Sequence, residues 1–160
     1  MLAFDHEKAL DTTSWEILCA LQEDARLSFT ELGRRVGLSP PAVAERVHKL
    51  EEAGIIAGYH AEVCPEKMGY ALMAFIRLST TSEKCPTVSA FVSRLPEVLE
   101  CHRVTGSDSF FLKVIVSSVA HLEALLDQLL PYGQLITSVV LSSPVKSRVV
   151  EPQDQHPPQR

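Results

Sequence analysis

The stretch SFTELGRRVGLSPPAVAERVHKLEEAG, residues 28–54, decides how this chain is read. Ser28-Phe29-Thr30-Glu31 has the form of a capping box. In it the serine hydroxyl accepts from the Glu31 amide, and the Glu31 carboxylate reaches back to the Ser28 amide. The helix this opens turns Leu32 and Val36 inward. It is ended by Gly37, which takes a left-handed conformation at no steric cost. Ser39 then stands at an N-cap, and Pro40 fills the first helical position, where a missing N–H is harmless. Val43, Val47 and Leu50 form the inward stripe of this next helix, and Gly54 stops it. Upstream, Asp11 is the N-cap of a helix with Leu10, Ile17, Leu18 and Leu21 on one side. Downstream, residues 55–63 are expected to form a strand.

Two helices joined through Gly37-Leu38-Ser39 suggest a helix-turn-helix, although a plain helical hairpin on a third helix has the same apolar spacing. The outward side of the third helix favours the DNA-binding reading. Small residues, Pro41 and Ala42, come first and let the backbone approach a groove; Glu45, Arg46, His48 and Lys49 follow. Residues 1–60 carry six basic and ten acidic side chains, a net of −4. Residues 30–50 alone hold Arg34, Arg35, Arg46 and Lys49 against Glu31 and Glu45, a local +2. Such a cationic island suits a groove-facing element. Arg34, Arg35 and Lys49 are candidates for phosphate contact, Pro41, Ala42, Glu45 and Arg46 lie nearer the bases, and Ser39 is a further DNA-binding candidate. A rival role for Arg46, of equal weight, is an ion pair with an acid of its own domain, such as Glu31 or Glu16.

The second half alternates β-α-β-β-α-β. Residues 70–79 form a strand, and Val88, Phe91, Val92 and Leu95 have helical spacing. Residues 98–105 and 110–116 form strands meeting at Gly106-Ser107-Asp108-Ser109. Leu122, Leu125, Leu126, Leu129 and Leu130 mark a second helix, and residues 135–141 a last strand. The fold class is therefore α+β: an N-terminal helix-turn-helix domain, then a ferredoxin-like four-stranded antiparallel sheet with two helices on one face. The domain expectation is 1–60 for the first, 61–69 for a linker and 70–150 for the second. The Pro- and Gln-rich end, 151–160, is expected to be disordered. Both sheet faces are apolar: Leu72, Ala74, Ile76 and Leu78 lie on one, Met73 and Phe75 on the other. Two helices cover only one face, so the free one is expected to meet another subunit.

Composition removes several classes. The 160 residues carry a net charge of −5, so a nucleic-acid partner must rest on a local patch. No stretch is long and apolar enough for a membrane span, and the first residues lack a secretory signal pattern, which points to the cytoplasm. Cys19, Cys64, Cys85 and Cys101 are widely spaced, without zinc-type Cys/His pairing, so reduced thiols and no metal or cofactor are expected. The six histidines are scattered, and no phosphate loop or nucleophile elbow exists; the chain does not read as an enzyme. The β-α-β-β-α-β order also occurs in RNA-recognition motifs, but Phe110 and Phe111 face opposite sides of a strand and cannot share one stacking platform. A small-molecule-binding oligomeric assembly protein that does not engage DNA is the remaining rival.

Taken together, Leu32-Gly33-Arg34-Arg35-Val36-Gly37-Leu38-Ser39, the run from Val43 through Arg46-Val47 and Leu50-Glu51 to Gly54-Ile55-Ile56 and Gly58-Tyr59, Val104-Thr105-Gly106, and Thr137-Ser138-Val139-Val140-Leu141 resemble the Lrp/AsnC (feast/famine) transcriptional regulators. The resemblance runs from about residue 10 to residue 148. It implies a winged-helix-type DNA-binding domain, a linking strand, and a regulatory domain that dimerises through its sheet, with further assembly commonly to octamers. It also implies a small effector, usually an amino acid, bound between subunits. Family members often have Asp-Tyr-Asp after the loop glycine; this chain has Ser107-Asp108-Ser109. In that loop Asp108 can meet an ammonium group, while Ser107, Ser109 and amides near Gly106 can bond a carboxylate. Thr137 and Ser138 are candidates for the same pocket. All six are also ordinary turn or strand residues.

Overall fold

The computed structural model describes residues 10–152. They form two compact units, one of residues 10–62 with 145–152 and one of residues 63–144.

The first unit holds three helices, α1 (Thr12–Glu23), α2 (Phe29–Val36) and α3 (Pro40–Glu52). The local signals act as read. Asp11 accepts from the Ser14 amide at 2.8 Å. The Ser28–Glu31 capping box closes in both directions, and Gly37 sits at φ 70°. Ser39 departs from its expected role: it occupies the N-cap position of α3, but its hydroxyl makes no cap hydrogen bond. Ile17, Leu32, Val43, Val47 and Leu50 are buried together, with Ile55 and Ile56 packed against them.

Residues 55–63 are not a strand. No described residue of this unit belongs to one. The two isoleucines are spent on the helical core, and residues 57–63 are exposed and unpaired with any described strand of this chain. A side-chain bond anchors the segment instead: the Tyr59 hydroxyl donates to Glu51 at 2.9 Å. Partial burial and that carboxylate push the phenol up to about 12. Residues 145–152 pack with the helical unit. There the Gln22 side-chain amide brackets Val150, accepting from its N–H at 2.9 Å and donating to its carbonyl at 3.1 Å. The tail beyond residue 152 lies outside the described residues.

The second unit carries β1 (Leu72–Ser79), α4 (Cys85–Val92), β2 (Val98–Arg103), β3 (Phe110–Val116), α5 (Val119–Leu129) and β4 (Gln134–Val139). Sheet order is β2-β3-β1-β4, antiparallel throughout. Ala74, Ile76 and Leu78 pair with Val114, Leu112 and Phe110, and all six are buried against α4 and α5. The opposite face shows Phe75 and Phe111, 42 % and 37 % exposed, with Ile136 beside them at 51 %. Ile115, across from Met73 on that face, is already buried. Glycine at 133 is a packing requirement: a Cβ there would stand 2.1 Å from the Ser79 carbonyl oxygen. Only a bare backbone lets β4 start beside the end of β1.

Candidate DNA-binding and effector sites

The outward side of α3 is set by its inward stripe. With Val43, Val47 and Leu50 buried, the 100° step per residue sends Pro41, Glu45 and His48 away from the core and puts Ala42 and Lys49 on one flank. Pro41, Glu45, His48 and Lys49 are exposed, as are Arg34 and Arg35 on α2; Ala42 is half-buried. Pro40 and Pro41 carry no N–H, so the start of α3 offers few backbone donors. The Ser39 hydroxyl, free of capping, is the polar group left at that end.

The acid paired with Arg46 is Asp11, 35 residues away, rather than Glu31 or Glu16. Arg46 Nη1 donates to both Asp11 carboxylate oxygens at 2.8 Å and to the Ser14 hydroxyl at 3.1 Å. The guanidinium thus ties α3 to the start of α1. Hydrogen bonds from Ser14, then from Arg46, hold the Asp11 carboxyl at about 2, below its usual 3.8. A carboxyl depressed in the folded state adds stability above the unfolded value, and that stability is lost as pH falls from about 4 to about 2. Asp11→Asn keeps a competent N-cap but removes the charge. The variant's stability should therefore fall less steeply over that window than the wild type's, as read from denaturant midpoints at pH 5, 4, 3 and 2.

The cationic island is largely neutralised within the unit. Lys49 Nζ lies 2.7 Å from Glu45, Arg35 lies 3.8 Å from Glu23, and His48 lies 3.2 Å from Glu52. These pairs are exposed and screened by water, so each opens readily when a phosphate competes.

In the second unit the Gly106–Ser109 loop is fixed to the end of β1. The Ser109 amide donates to the Leu78 carbonyl at 2.9 Å. The Ser109 hydroxyl accepts from the Thr80 amide at 3.1 Å and donates to the Thr80 carbonyl at 3.0 Å. That hydroxyl is therefore committed to the fold. Asp108, only 13 % exposed at its side chain, accepts from the Ser79 hydroxyl at 3.0 Å and lies 3.6 Å from Arg77. Gly106, at φ 115°, has open space where a Cβ would be, and Ser107 is exposed.

Thr137 and Ser138 do not join this loop as one wall. Thr137 pairs with Ile76 on the helix-covered face and Ser138 with Phe75 on the open face. Sequence reasoning missed Arg77 as a partner of Asp108. Its signal was present: Arg77 is the residue that breaks the apolar run of Met73 and Phe75 on the open face.

Among the described residues no group of three or more His, Cys, Asp or Glu side chains is placed to hold a metal ion. No described helix is long and apolar enough to cross a membrane.

Comparison with known proteins finds one family model for each half of the chain. Residues 10–57 match the winged helix-turn-helix DNA-binding model, and residues 73–150 match the Lrp/AsnC ligand binding domain. The uncharacterized HTH-type transcriptional regulator YezC of Bacillus subtilis is 45 % identical over 134 residues, spanning 84 % of this chain and 95 % of that protein. Among solved structures, B. subtilis LrpC aligns with a TM-score of 0.82 at 33 % identity, over 86 % of this chain and 99 % of that one. A Neisseria meningitidis transcriptional regulator, NMB0573, solved as a complex with L-Met, aligns with a TM-score of 0.83 at 34 % identity, over 88 % and 96 %. A helix-turn-helix followed by a β-α-β-β-α-β sheet unit is thus shared with such relatives over more than four-fifths of this chain, and the chain belongs to the Lrp/AsnC family of DNA-binding transcriptional regulators.

Proposed function

We propose that the chain works in the cytoplasm as a homodimer that lays α3 in the DNA major groove of a two-fold symmetric operator, and that an amino acid bound at the Gly106–Ser109 loop tunes assembly or DNA affinity. The observation that carries the DNA half is α3 itself: capless, small-sided at its start and exposed along its outer face. Lys49, Arg34, Arg35 and the Ser39 hydroxyl take phosphates, and Pro41, Ala42 and Glu45 approach base edges. Arg46 sets the angle of α3 through Asp11 instead of reading a base. Two-fold symmetry requires half-sites about 10 bp apart or a multiple of that. The regulator is not an enzyme in this reading, and further assembly to an octamer would be read by sedimentation. Footprinting on the chain's own upstream DNA tests the proposal. Lys49→Ala should weaken every site alike and lower the salt slope by about one unit; an unchanged slope removes Lys49 from the phosphate contacts.

The effector half is supported by the L-Met complex of the Neisseria relative and by the pairing of Arg77 with Asp108. A guanidinium and a carboxylate 3.6 Å apart match the two charges of an amino-acid zwitterion. Asp108 would take the ammonium group, Arg77 the carboxylate, and the open backbone at Gly106 the close approach. Ser107 is free to assist, whereas Ser109 holds the loop. Ser138, on the open face, is better placed than Thr137 to complete such a site. A ligand at a hundredfold excess over its Kd adds about 2.7 kcal/mol, a melting shift of about 10–20 °C for a unit of this size. Screening the twenty amino acids by melting temperature should give at least one such shift, abolished by Asp108→Ala. If no amino acid changes melting, operator binding or sedimentation, the effector reading fails.

A further inference from the structure

The surface of α3 that faces away from the core is nearly mute in hydrogen-bonding terms. Pro41 and Ala42 offer only apolar atoms. Arg46, the long donor that would otherwise dominate the second turn, is spent on Asp11 and Ser14. His48 is drawn toward the end of the helix by Glu52. The polar group remaining at the centre of that surface is the Glu45 carboxylate, whose side chain is 69 % exposed.

A carboxylate at this position is costly to bring to a polyanion unless something there rewards it. Its charge is retained: the hydrogen bond from Lys49 at 2.7 Å keeps the carboxyl below its usual range. The same lysine offsets the repulsion from flanking phosphates. An exposed i,i+4 pair of this kind adds little to a helix, so the acid is not explained by helix stability.

A carboxylate accepts and cannot donate, which restricts what it can read. In the major groove guanine shows two acceptors, and thymine an acceptor and a methyl group; both repel or ignore it. Adenine offers its N6 amino group, but N7 stands beside it as an acceptor against the second carboxylate oxygen. Cytosine offers the N4 amino group with no acceptor on its major-groove edge.

We propose that Glu45 is the specificity-determining residue of α3 and reads the N4 amino group of one cytosine in each operator half-site, with Lys49 shielding the approach. The proposal rests on the groove placement of α3 advanced above. It also explains why Arg46 is held back: a free guanidinium one residue away would seek guanine and obscure the cytosine preference.

The test is selection of bound duplexes from a random pool by the full-length protein and four variants. Glu45 is exposed, so Glu45→Gln and Glu45→Ala should melt as the wild type does. The wild-type pool should show one cytosine per half-site, favoured about tenfold or more. Glu45→Gln should turn that position to adenine, whose N6 and N7 suit an amide, and Glu45→Ala should leave it without preference while the other positions persist. Lys49→Met should weaken binding and keep the cytosine. Identical selected sequences for the wild type and both Glu45 variants overturn the proposal, as does loss of the cytosine in Lys49→Met alone. Ala42→Asp separates the two layers. If it abolishes specific binding while the Glu45 variants select as the wild type does, the groove placement stands and only the cytosine assignment falls. If Ala42→Asp binds and selects like the wild type, the groove placement falls with it.

Discussion

Phe75→Arg should convert the protein to monomers at micromolar concentration, with its fold intact. Phe75 is 42 % exposed in the protomer and points away from α4 and α5, so the substitution leaves the Ala74, Ile76 and Leu78 core untouched. In a dimer formed through the open sheet face, the same side chain would lie in the contact, with Lys113 and Ser138 as its cross-strand partners and Phe111 and Ile136 on the diagonals. Aromatic residues at such centres cost 2 kcal/mol or more on truncation, and an uncompensated buried charge costs about 3–5 kcal/mol. Either figure weakens self-association by a factor of about thirty or more. Val119→Arg is the control: Val119 is 72 % exposed on α5, behind the other face of the sheet, and should sediment as the wild type does. Charged groups flank this apolar patch on β2 and β3. Glu100 is held below its usual range by Lys113 at 2.8 Å and then by His102 at 3.3 Å. A Phe75→Arg protein that sediments like the wild type would move the subunit interface elsewhere. Operator affinity should fall along with the dimer, since one half-site cannot replace two.

How much of this was legible in the sequence follows the range of each interaction. Capping at Asp11 and Ser28, the left-handed Gly37 and the β-α-β-β-α-β order depend on residues within a few positions of one another, and all appear as expected. What escaped is non-local. Arg46 finds Asp11 across 35 residues, a pairing no helical spacing encodes. Residues 55–63 have strand composition, but pairing needs a second chain segment and none is supplied within the unit. The candidate effector residues are adjacent in sequence but divided by register: Thr137 and Ser138 fall on opposite faces, and Ser109 is committed to Thr80. Arg77 and Ser79, the actual partners of Asp108, come from a strand 29 or more residues earlier.

Gly33 carries the other large expected effect, because a glycine inside a helix costs about 1 kcal/mol against alanine and needs a reason to be there. The reason is the turn. Gly33 is buried in α2, and its carbonyl accepts from the Leu38 amide at 3.0 Å. A Cβ on Gly33 would stand 2.4 Å from the Leu38 carbonyl oxygen and 3.7 Å from the nitrogen of Pro40. Both neighbours are backbone, so neither yields by a rotamer change; the turn itself must open and α3 must tilt away. Overpacking of this kind costs about 1–3 kcal/mol, and a backbone neighbour puts Gly33→Ala at the upper end, more than cancelling the helix-propensity gain. Gly37→Ala is the calibrating variant. Its φ of 70° penalises a side chain by about 1–2 kcal/mol, but the surrounding space is empty, so the turn keeps its shape. Gly37→Ala should therefore melt lower and still bind DNA, whereas Gly33→Ala should lose specific binding at temperatures where the 63–144 unit stays folded and associated. Circular dichroism melts read beside operator titrations and sedimentation resolve the two effects. Wild-type DNA affinity in Gly33→Ala would show that the helix-turn-helix tolerates an opened turn, and that the angle between α2 and α3 is not what presents Glu45 and its neighbours to the groove.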